Sequence, residues 1–515
     1  MYAMTSEVKF ELGLERLTTE RLVRLARSPR PAVSLGAEAV ARIQAYRKLV
    51  TDAAASDQAH YGINTGFGFM ADVRIEKTKL AELQENLLRS HACGVGSPAD
   101  HDVVRGLLLM RAHTFALGHS GISLEVVRLI LDFLKHDILA VIPVKGSVGA
   151  SGDLAPLSHL ALPLIGEGEV TYQSKRMPAA QALEMAGLKP VKLGPKEGLS
   201  LINGTHFMTT IGAFAVEDAK TLARTADCSA ALSLDATRGS LVPFTEAIHH
   251  IRPHPGQQQV AANMAMLFAG FDGILDSHKD CKKVQDPYSF RCIPQVHGAS
   301  RDAITYVEEV ITRELNSVTD NPLAFLDGTI ISGGNFHGQP VAIALDFLAI
   351  AVAEFGSISE RRIEKMTNPT MSGLPAFLAQ NGGLESGFMI PQYVAAALVS
   401  ENKVLCHPAS VDSIPTSADK EDHVSMGPIA ARKAREIALN VSHVLAIEMI
   451  AACRGLDVLA PLKAAPALET AYQALRKISP PVDKDRSLAG DITKVAAWIL
   501  NGGLIEALQT KGFQL

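Results

Sequence analysis

The chain has 515 residues, of which 47% are hydrophobic and 20% are charged, and a chain of this length is expected to divide into two or three subdomains. Its net charge of −5 creates no general basic field, which argues against nucleic acid or a membrane surface as a partner. The six cysteines never stand in C-x-x-C spacing, so the sequence predicts reduced thiols rather than a disulfide framework or a zinc site.

The N-terminal part of the chain is predicted to be mixed in structure. The first residues lack the apolar core of a signal peptide, so we expect a cytoplasmic protein. Short helical patterns over residues 1–60 precede the glycine-rich run 61–70, which predicts a loop. Apolar residues at helical spacing predict helices over 101–116, 123–136 and 154–165, and residues 169–173 favour a strand.

The remainder of the chain is predicted to be almost entirely helical. Long helices are expected over 207–235, 256–278, 299–316, 338–366, 391–406 and 427–454. The apolar stretch 341–354 carries two carboxylates and is too short to span a bilayer. The loops 280–298 and 407–426 are long and polar, and loops of that kind are often functional. We therefore predict a mostly α fold, with a smaller mixed region over 1–205 followed by a large antiparallel helical bundle and C-terminal helices over 206–515.

The run Gly149-Ala150-Ser151-Gly152-Asp153 is the most informative part of the sequence. Its small residues allow the backbone to fold so tightly that the amide nitrogen of Gly152 can reach the carbonyl carbon of Ala150. Cyclisation and dehydration of Ser151 would then produce 4-methylidene-imidazol-5-one (MIO), an electrophile built from the chain itself. Taken alone, the tripeptide favours a simpler interpretation, a glycine turn that caps a helix.

Three other kinds of site are disfavoured by spacing or context. Ser151 does not stand in the Gly-x-Ser-x-Gly pattern of a hydrolase. The dinucleotide-type match over 66–71 follows no apolar strand. His249, His250 and His254 are interrupted by prolines and have no accompanying carboxylate helix, so we interpret them as hydrogen-bonded loop residues and predict no metal site.

Polar residues capable of catalysis or binding are concentrated in the predicted loops and turns. They are Tyr61, Ser90-His91, Asn203, the segment 285–297 with Gln285, Tyr288 and Arg291, the segment 333–338 with Phe336, and Glu421-Asp422-His423. Each alone is more readily explained as a structural residue, but their number favours a catalytic site.

With these segments the chain resembles the MIO-dependent aromatic amino acid lyases. The stretch 146–159 is highly specific for that family, and matching segments run from Tyr61 to about Gly455. Ser90-His91, the segment 285–297 and the segment 421–426 resemble the branch of the family that acts on histidine. One departure is Asp419-Lys420, where bacterial members often carry Asn-Gln.

The resemblance implies a role for each candidate residue. Ala150, Ser151 and Gly152 would cyclise to MIO, with no external cofactor, and Tyr61 would remove the β-proton. Arg291 would pair with the substrate carboxylate, for which a planar guanidinium is well suited. The other implied positions are Asn203 and Tyr288 beside the carboxylate and the MIO ring, His91 and Glu421 at the imidazole, and Gln285 and Phe336 lining the site. The family also implies a homotetramer whose active sites are each built from three subunits.

The implied reaction is elimination of ammonia from L-histidine to give trans-urocanate. A carboxylate such as Glu421 is costly to desolvate beside a phenyl ring but can accept a hydrogen bond from imidazole, which favours histidine. The alternatives are a phenylalanine or tyrosine ammonia-lyase, an aminomutase with the same group, or a non-catalytic homologue on the same scaffold. Because a phenol with a pKa of about 10 is a weak base at neutral pH, we expect the pKa of Tyr61 to be depressed.

Overall fold

The protein is mostly α-helical, as predicted, in a computed structural model that describes residues 9–70, 72–281 and 283–515. The predictions that fall on residues 1–8 lie outside these ranges. The described chain forms two compact units. The first comprises the residues up to Phe214 with Glu308–Leu345 and Pro408–Arg432, and the second comprises Ala215–Val307, Asp346–His407 and Lys433–Leu515. The predicted division into 1–205 and 206–515 is continuous in sequence, unlike these units, and stays a prediction.

Short helices build most of the first unit. They are Thr19–Ala26, Ala37–Ala55, Leu80–His91, His101–Ala116, Leu124–His136, Leu154–Ala161, Ala179–Ala186 and Glu197–Ile202. The helix His101–Ala116 lies at the centre of this unit, because nearly all of its residues from Val103 onward are buried. It packs against the helices Thr19–Ala26 and Leu124–His136. The latter helix begins at Ser123, whose hydroxyl accepts a hydrogen bond from the amide of Val126.

Every described strand belongs to the first unit and has at most four residues. Phe10–Glu11 pairs in parallel with Val33–Ser34, and the other pairings are antiparallel. These are Val95–Pro98 with Pro143–Lys145, Leu139–Ala140 with Glu169–Tyr172, Glu169–Tyr172 with Lys175–Pro178, and Leu323–Ala324 with Ile330–Ile331. The strand predicted near residue 169 is therefore present.

The second unit is built from helices. Its helices, four of which extend from or into the first unit, are His206–Ala236, Glu246–His250, Pro255–Leu267, Gly273–Asp276, Tyr288–Arg291, Ile293–Leu315, Gln339–Thr367, Pro369–Ser372, Met389–Leu405, Gly427–Val458, Pro466–Arg476, Ala489–Leu500 and Gly503–Thr510. A buried ion pair links the three longest: Arg362 contacts both oxygens of Glu448, which also accept hydrogen bonds from Ser233 and Ser359. Removing either partner of such a pair would leave the other charge buried and unpaired, which is strongly destabilising. The three helices are therefore held together by this cluster.

Two predicted elements differ from the observed ones. The helix expected over 256–278 ends at Leu267, and Gly270 then takes a φ of +99° before the separate turn Gly273–Asp276. The loop expected over 280–298 contains the helix Tyr288–Arg291 and the first turn of Ile293–Leu315. The polar composition of this segment suggested a loop, but two helices begin in it: Pro287 precedes the first, and Pro294 lies in the first turn of the second, where proline is tolerated.

Two helices, Gln339–Thr367 and Gly427–Val458, are long and apolar enough to cross a membrane. The first is longer than the apolar stretch 341–354, so its length alone does not exclude a span. However, 67% and 78% of the residues in their most apolar windows are buried, as in the core helices of a globular protein.

Candidate active site

The turn at Ala150-Ser151-Gly152 is fixed against the segment that precedes the helix His206–Ala236. The amide of Gly204 donates to the carbonyl of Ser151 at 3.1 Å, and the amide of Asp153 donates to the carbonyl of Gly204 at 2.9 Å. Ser151 and Gly152 have φ values of +49° and +82°, and the Gly152 amide lies 3.3 Å from the carbonyl oxygen of Gly149. A side chain on Gly152 would overlap the Gly204 carbonyl. This is the tight backbone turn predicted from the sequence, and only glycine fits its third position.

Asp153 anchors this turn to the long helix rather than capping its own. Its Oδ2 accepts hydrogen bonds from the amides of Phe207 and Met208 at 2.8 and 3.0 Å, in the first turn of His206–Ala236. The carboxyl is fully buried, and Oδ1 has no hydrogen-bond partner among the described residues. Burial raises the pKa of Asp153 to about 7, although the two amide hydrogen bonds oppose the shift.

Glu421 is held directly beside the turn. The hydroxyl of Ser151 donates to Oε1 of Glu421 at 3.1 Å, and the hydroxyl of Thr416 lies 3.2 Å from Oε2. The backbones of Thr416 and Glu421 are also paired, with N–O distances of 2.9 and 3.2 Å. The Glu421 carboxylate is therefore oriented from both sides, and Thr416 is a contributor that the sequence analysis missed.

The sequence departure at Asp419-Lys420 lies in the turn between these paired residues. Ser417, Ala418 and Asp419 have φ values of +51°, +51° and +65°, and aspartate is among the non-glycine residues that tolerate this conformation best. Asp419 and Lys420 are exposed, and neither side chain makes a hydrogen bond or ion pair within the described chain. The departure is compatible with the turn that presents Glu421.

Tyr61 and His91 both lie within the electrostatic influence of Glu421. The amide of Gly68 donates to the Tyr61 hydroxyl oxygen at 3.4 Å. Burial raises the pKa of Tyr61, and the Glu421 carboxylate raises it further, against the opposing Gly68 hydrogen bond. The prediction of a depressed pKa is therefore wrong, because burial outweighs the Gly68 hydrogen bond and the Glu421 carboxylate acts in the same direction as burial. Burial lowers the pKa of His91, against the opposing effects of the Leu87 carbonyl and Glu421.

Asn203 is buried where the helix Glu197–Ile202 ends, immediately before Gly204. Its Nδ2 donates to the carbonyl of Asn321 at 3.2 Å, and its Oδ1 has no hydrogen-bond partner among the described residues. The side chain of Asn321 in turn accepts from the amide of Gly333 at 2.7 Å. Asn321 thus supports both Asn203 and the start of the loop that carries Phe336, and no motif in the sequence marked it.

Phe336 is half-buried and lies in the loop that joins the strand Ile330–Ile331 to the helix Gln339–Thr367. The imidazole of the adjacent His337 stacks on that of His423, with ring centroids 5.9 Å apart, and its Nε2 lies 3.0 Å from the His423 carbonyl oxygen. The loops that carry Phe336 and Glu421 are therefore joined to each other.

Gln285, Tyr288 and Arg291 lie in the second unit. The Arg291 guanidinium lies 4.4 Å from the centre of the Tyr288 ring, and Tyr288 is 69% exposed. Gln285 is also exposed. Within the described ranges, Arg291 has no acidic partner and its Nε is buried without a hydrogen bond. This guanidinium is therefore available for an anion from outside the unit.

The first unit thus contains eight of the predicted site residues and the second contains three. Those of the first unit are Tyr61, His91, Ala150, Ser151, Gly152, Asn203, Phe336 and Glu421. Of the described histidine, cysteine and acidic side chains, no three or more are grouped to hold a metal ion. His249 instead contacts the Pro243 carbonyl and the Gln257 side chain, each at 3.0 Å.

A sequence model of the aromatic amino acid lyases matches residues 17–477. The chain belongs to the aromatic amino acid lyase family. The resemblance inferred from the motifs is therefore confirmed. The chain is similar to a histidine ammonia-lyase of Alkaliphilus oremlandii, with 51% identity over 97% of this chain and 98% of that protein.

Solved structures of the family have the same fold. A histidine ammonia-lyase from Trypanosoma cruzi is 45% identical, covers 98% of this chain and 96% of its own, and superposes with a TM-score of 0.91. A tyrosine aminomutase from Streptomyces globisporus is 39% identical, with 98% and 99% of the two chains covered and a TM-score of 0.92. The scaffold is thus shared by enzymes with different names, and the substrate has to be argued from the site.

Proposed function

We propose that the protein is an ammonia-lyase that converts L-histidine to trans-urocanate and ammonia. The observation that carries the proposal is the Glu421 carboxylate, which lies 3.1 Å from the Ser151 hydroxyl in the turn expected to form the electrophile. A carboxylate at this place can accept a hydrogen bond from imidazole, whereas a phenyl ring would take water away from it and offer no donor in return. The names of the relatives at about half identity support the same substrate.

The residues of the turn fit MIO. The group would be held by the backbone of Ala150, Ser151 and Gly152, and Gly152 leaves the turn free of side-chain bulk against Gly204. Once formed, MIO would supply an electrophile through which the substrate amine could become a better leaving group. The two backbone hydrogen bonds of Gly204 keep the turn in place, and such preorganisation is a large contribution in electrostatic catalysis.

Tyr61 is the proposed base, and its phenol oxygen would take the β-proton. The Gly68 amide orients this oxygen. Because burial and Glu421 raise its pKa, a positive charge brought close to the phenol would favour its ionisation. The ammonium group of the substrate or a guanidinium can supply that charge, so ionisation of Tyr61 is coupled to formation of the complete site.

Arg291 is the proposed partner of the substrate carboxylate. Its guanidinium stacks on Tyr288 and has no acidic partner within the described chain, and its planar geometry matches a carboxylate through two parallel hydrogen bonds. Asn203 offers an unpartnered buried amide oxygen. We assign Gln285 and Phe336 to the lining of the same site.

The decisive experiment combines an activity assay with intact-protein mass. The purified chain is expected to release ammonia from L-histidine far faster than from L-tyrosine or L-phenylalanine, and to be lighter than its encoded mass by two waters. Preferential turnover of tyrosine or phenylalanine would overturn the substrate assignment, and a β-amino acid product would identify an aminomutase. An unmodified mass without turnover would identify a non-catalytic homologue.

We also propose that the enzyme is a cytoplasmic homotetramer with shared active sites. The helix Met389–Leu405 supports self-association, because only Ala395 and Asn402 are buried while apolar residues along it are exposed. These are Ile390, Tyr393, Val394 and Val404. Exposed apolar surface of this kind marks protein interaction sites. Light scattering of the purified chain should give the mass of four subunits, and a monomer would contradict the proposal.

A further inference from the structure

Ser90 contacts the imidazole of the neighbouring His91 at the C-terminal end of the helix Leu80–His91. Its Oγ lies 2.9 Å from Nδ1 of His91 and 3.1 Å from the carbonyl oxygen of Leu87. A serine hydroxyl has one proton to donate, and a carbonyl oxygen can only accept. When the hydroxyl proton is donated to the Leu87 carbonyl, the Ser90 oxygen can act only as an acceptor toward Nδ1 of His91. Nδ1 must then carry the ring proton.

The contact that selects between the two ring nitrogens of His91 is the one between Ser90 Oγ and Nδ1. The Leu87 carbonyl favours protonation of the imidazole, because it raises the pKa of His91. In neutral imidazole a proton on Nδ1 leaves a lone pair on Nε2. Nε2 has no hydrogen-bond partner among the residues that the structure describes, and the ring is half-buried. His91 therefore has a free acceptor at the far end of its ring.

We infer that Ser90 is a positioning residue that fixes the Nδ1–H tautomer of His91, so that Nε2 of His91 accepts a hydrogen bond from one ring N–H of the protonated substrate imidazole, whose other ring N–H is left for Glu421. The inference rests on the proposed histidine lyase function and assigns a role to a residue that does not itself touch substrate. With the opposite tautomer, Nε2–H would face a substrate N–H, and two donors cannot pair. The enzyme would then lose its preference for a substrate ring that presents an N–H to His91.

The test uses three variants at one position and a matched control. Ser90→Ala removes the acceptor, Ser90→Thr keeps the hydroxyl, and Ser90→Asp adds a negative charge that favours the doubly protonated ring. The control is Ser56→Ala, because the Ser56 hydroxyl makes the same type of bond to a carbonyl three residues earlier, Ala53, at 2.8 Å at the end of another helix. KM and kcat for L-histidine, and inhibition by L-phenylalanine, are measured for each full-length enzyme.

We expect Ser90→Ala to raise KM for L-histidine about three- to ten-fold, the range of one ordinary hydrogen bond, with kcat changed by less than about two-fold. Ser90→Thr should keep KM near the wild-type value. Ser90→Asp should raise KM more than Ser90→Ala does near neutral pH. That increase in KM should shrink as pH rises, because the His91 imidazole then loses its second proton. Inhibition by L-phenylalanine, whose ring has no N–H, should be unchanged in the alanine variant.

Three results would overturn the inference. The first is an unchanged KM in Ser90→Ala, and the second is an equal loss of affinity for L-phenylalanine, which would indicate a general disturbance of the site. The third is a similar loss in Ser56→Ala. Failure of the proposed function is recognised separately, because the wild-type enzyme itself would then not turn over L-histidine, and the role assigned to Ser90 would fall with it.

Discussion

Replacing Gly152 by alanine tests whether the close approach of the turn to Gly204 is needed for the proposed electrophile to form. The φ of +82° at this position costs an L-residue about 1–2 kcal/mol. The methyl group would also overlap the Gly204 carbonyl. Relief of that overlap separates Gly204 from Ser151 and Asp153 and weakens two hydrogen bonds of 3.1 and 2.9 Å, each contributing about 0.5–1.5 kcal/mol. The total destabilisation is about 2–5 kcal/mol.

Gly187 provides the matched control, since its φ is +70° and nothing lies within 4 Å of a methyl group placed there. Gly187→Ala therefore carries the conformational cost alone. We expect Gly152→Ala to have the lower thermal unfolding midpoint of the two and to keep its full encoded mass, whereas Gly187→Ala loses two waters like the wild type. Equal midpoints together with a normal loss of two waters in Gly152→Ala would refute the reasoning.

Further predictions concern the groups around the turn and the carboxylate partner. Dehydration of Ser151 to form MIO would remove the Ser151 hydroxyl, so Thr416 supplies the hydroxyl that remains on Glu421. Thr416→Val should therefore raise KM for L-histidine several-fold, while Thr416→Ser should leave it near the wild-type value; equal kinetics in both variants would remove Thr416 from the site. The pKa of Asp153 is raised from its ordinary 3.8 to about 7, so the folded protein binds this proton more tightly than the unfolded chain and loses stability as pH rises between these values, by at most about 4 kcal/mol. Asp153→Asn should therefore show a smaller fall in thermal midpoint between pH 4 and pH 7 than the wild type, and an identical fall would contradict the assignment. Arg291→Lys should raise KM about ten-fold or more, because one bond to a charged group is lost, and an unchanged KM would show that Arg291 does not hold the carboxylate.

Much of the fold follows from hydrophobic periodicity. The helices predicted over 338–366 and 391–406 are observed as Gln339–Thr367 and Met389–Leu405, because long apolar faces leave little choice of structure. The short helix Tyr288–Arg291 was not predicted, because four residues beside a proline carry too few positions for a period to be recognised. The tight turn at Gly152 was predictable from residue size alone.

The parts of the site that could not be predicted depend on contacts between distant segments. The sequence suggested Glu421 but not Thr416, since a threonine in a polar loop gives no sign of which carboxylate it faces. The pKa of Tyr61 was expected to fall, but its direction is set by burial and by the neighbouring Glu421, and neither is visible in the residues around Tyr61. Asn321 was missed for the same reason.

The first unit is assembled from separate segments of the chain, so the ribosome synthesises its parts at different times. The segment Pro408–Arg432, which includes Glu421, belongs to a unit whose other parts end at Phe214 and Leu345. A ribosome that has added Ser151 must still translate about half of the chain before that carboxylate exists. Nascent chains and premature termination products therefore contain the Ala150-Ser151-Gly152 sequence without the partner that contacts it at 3.1 Å.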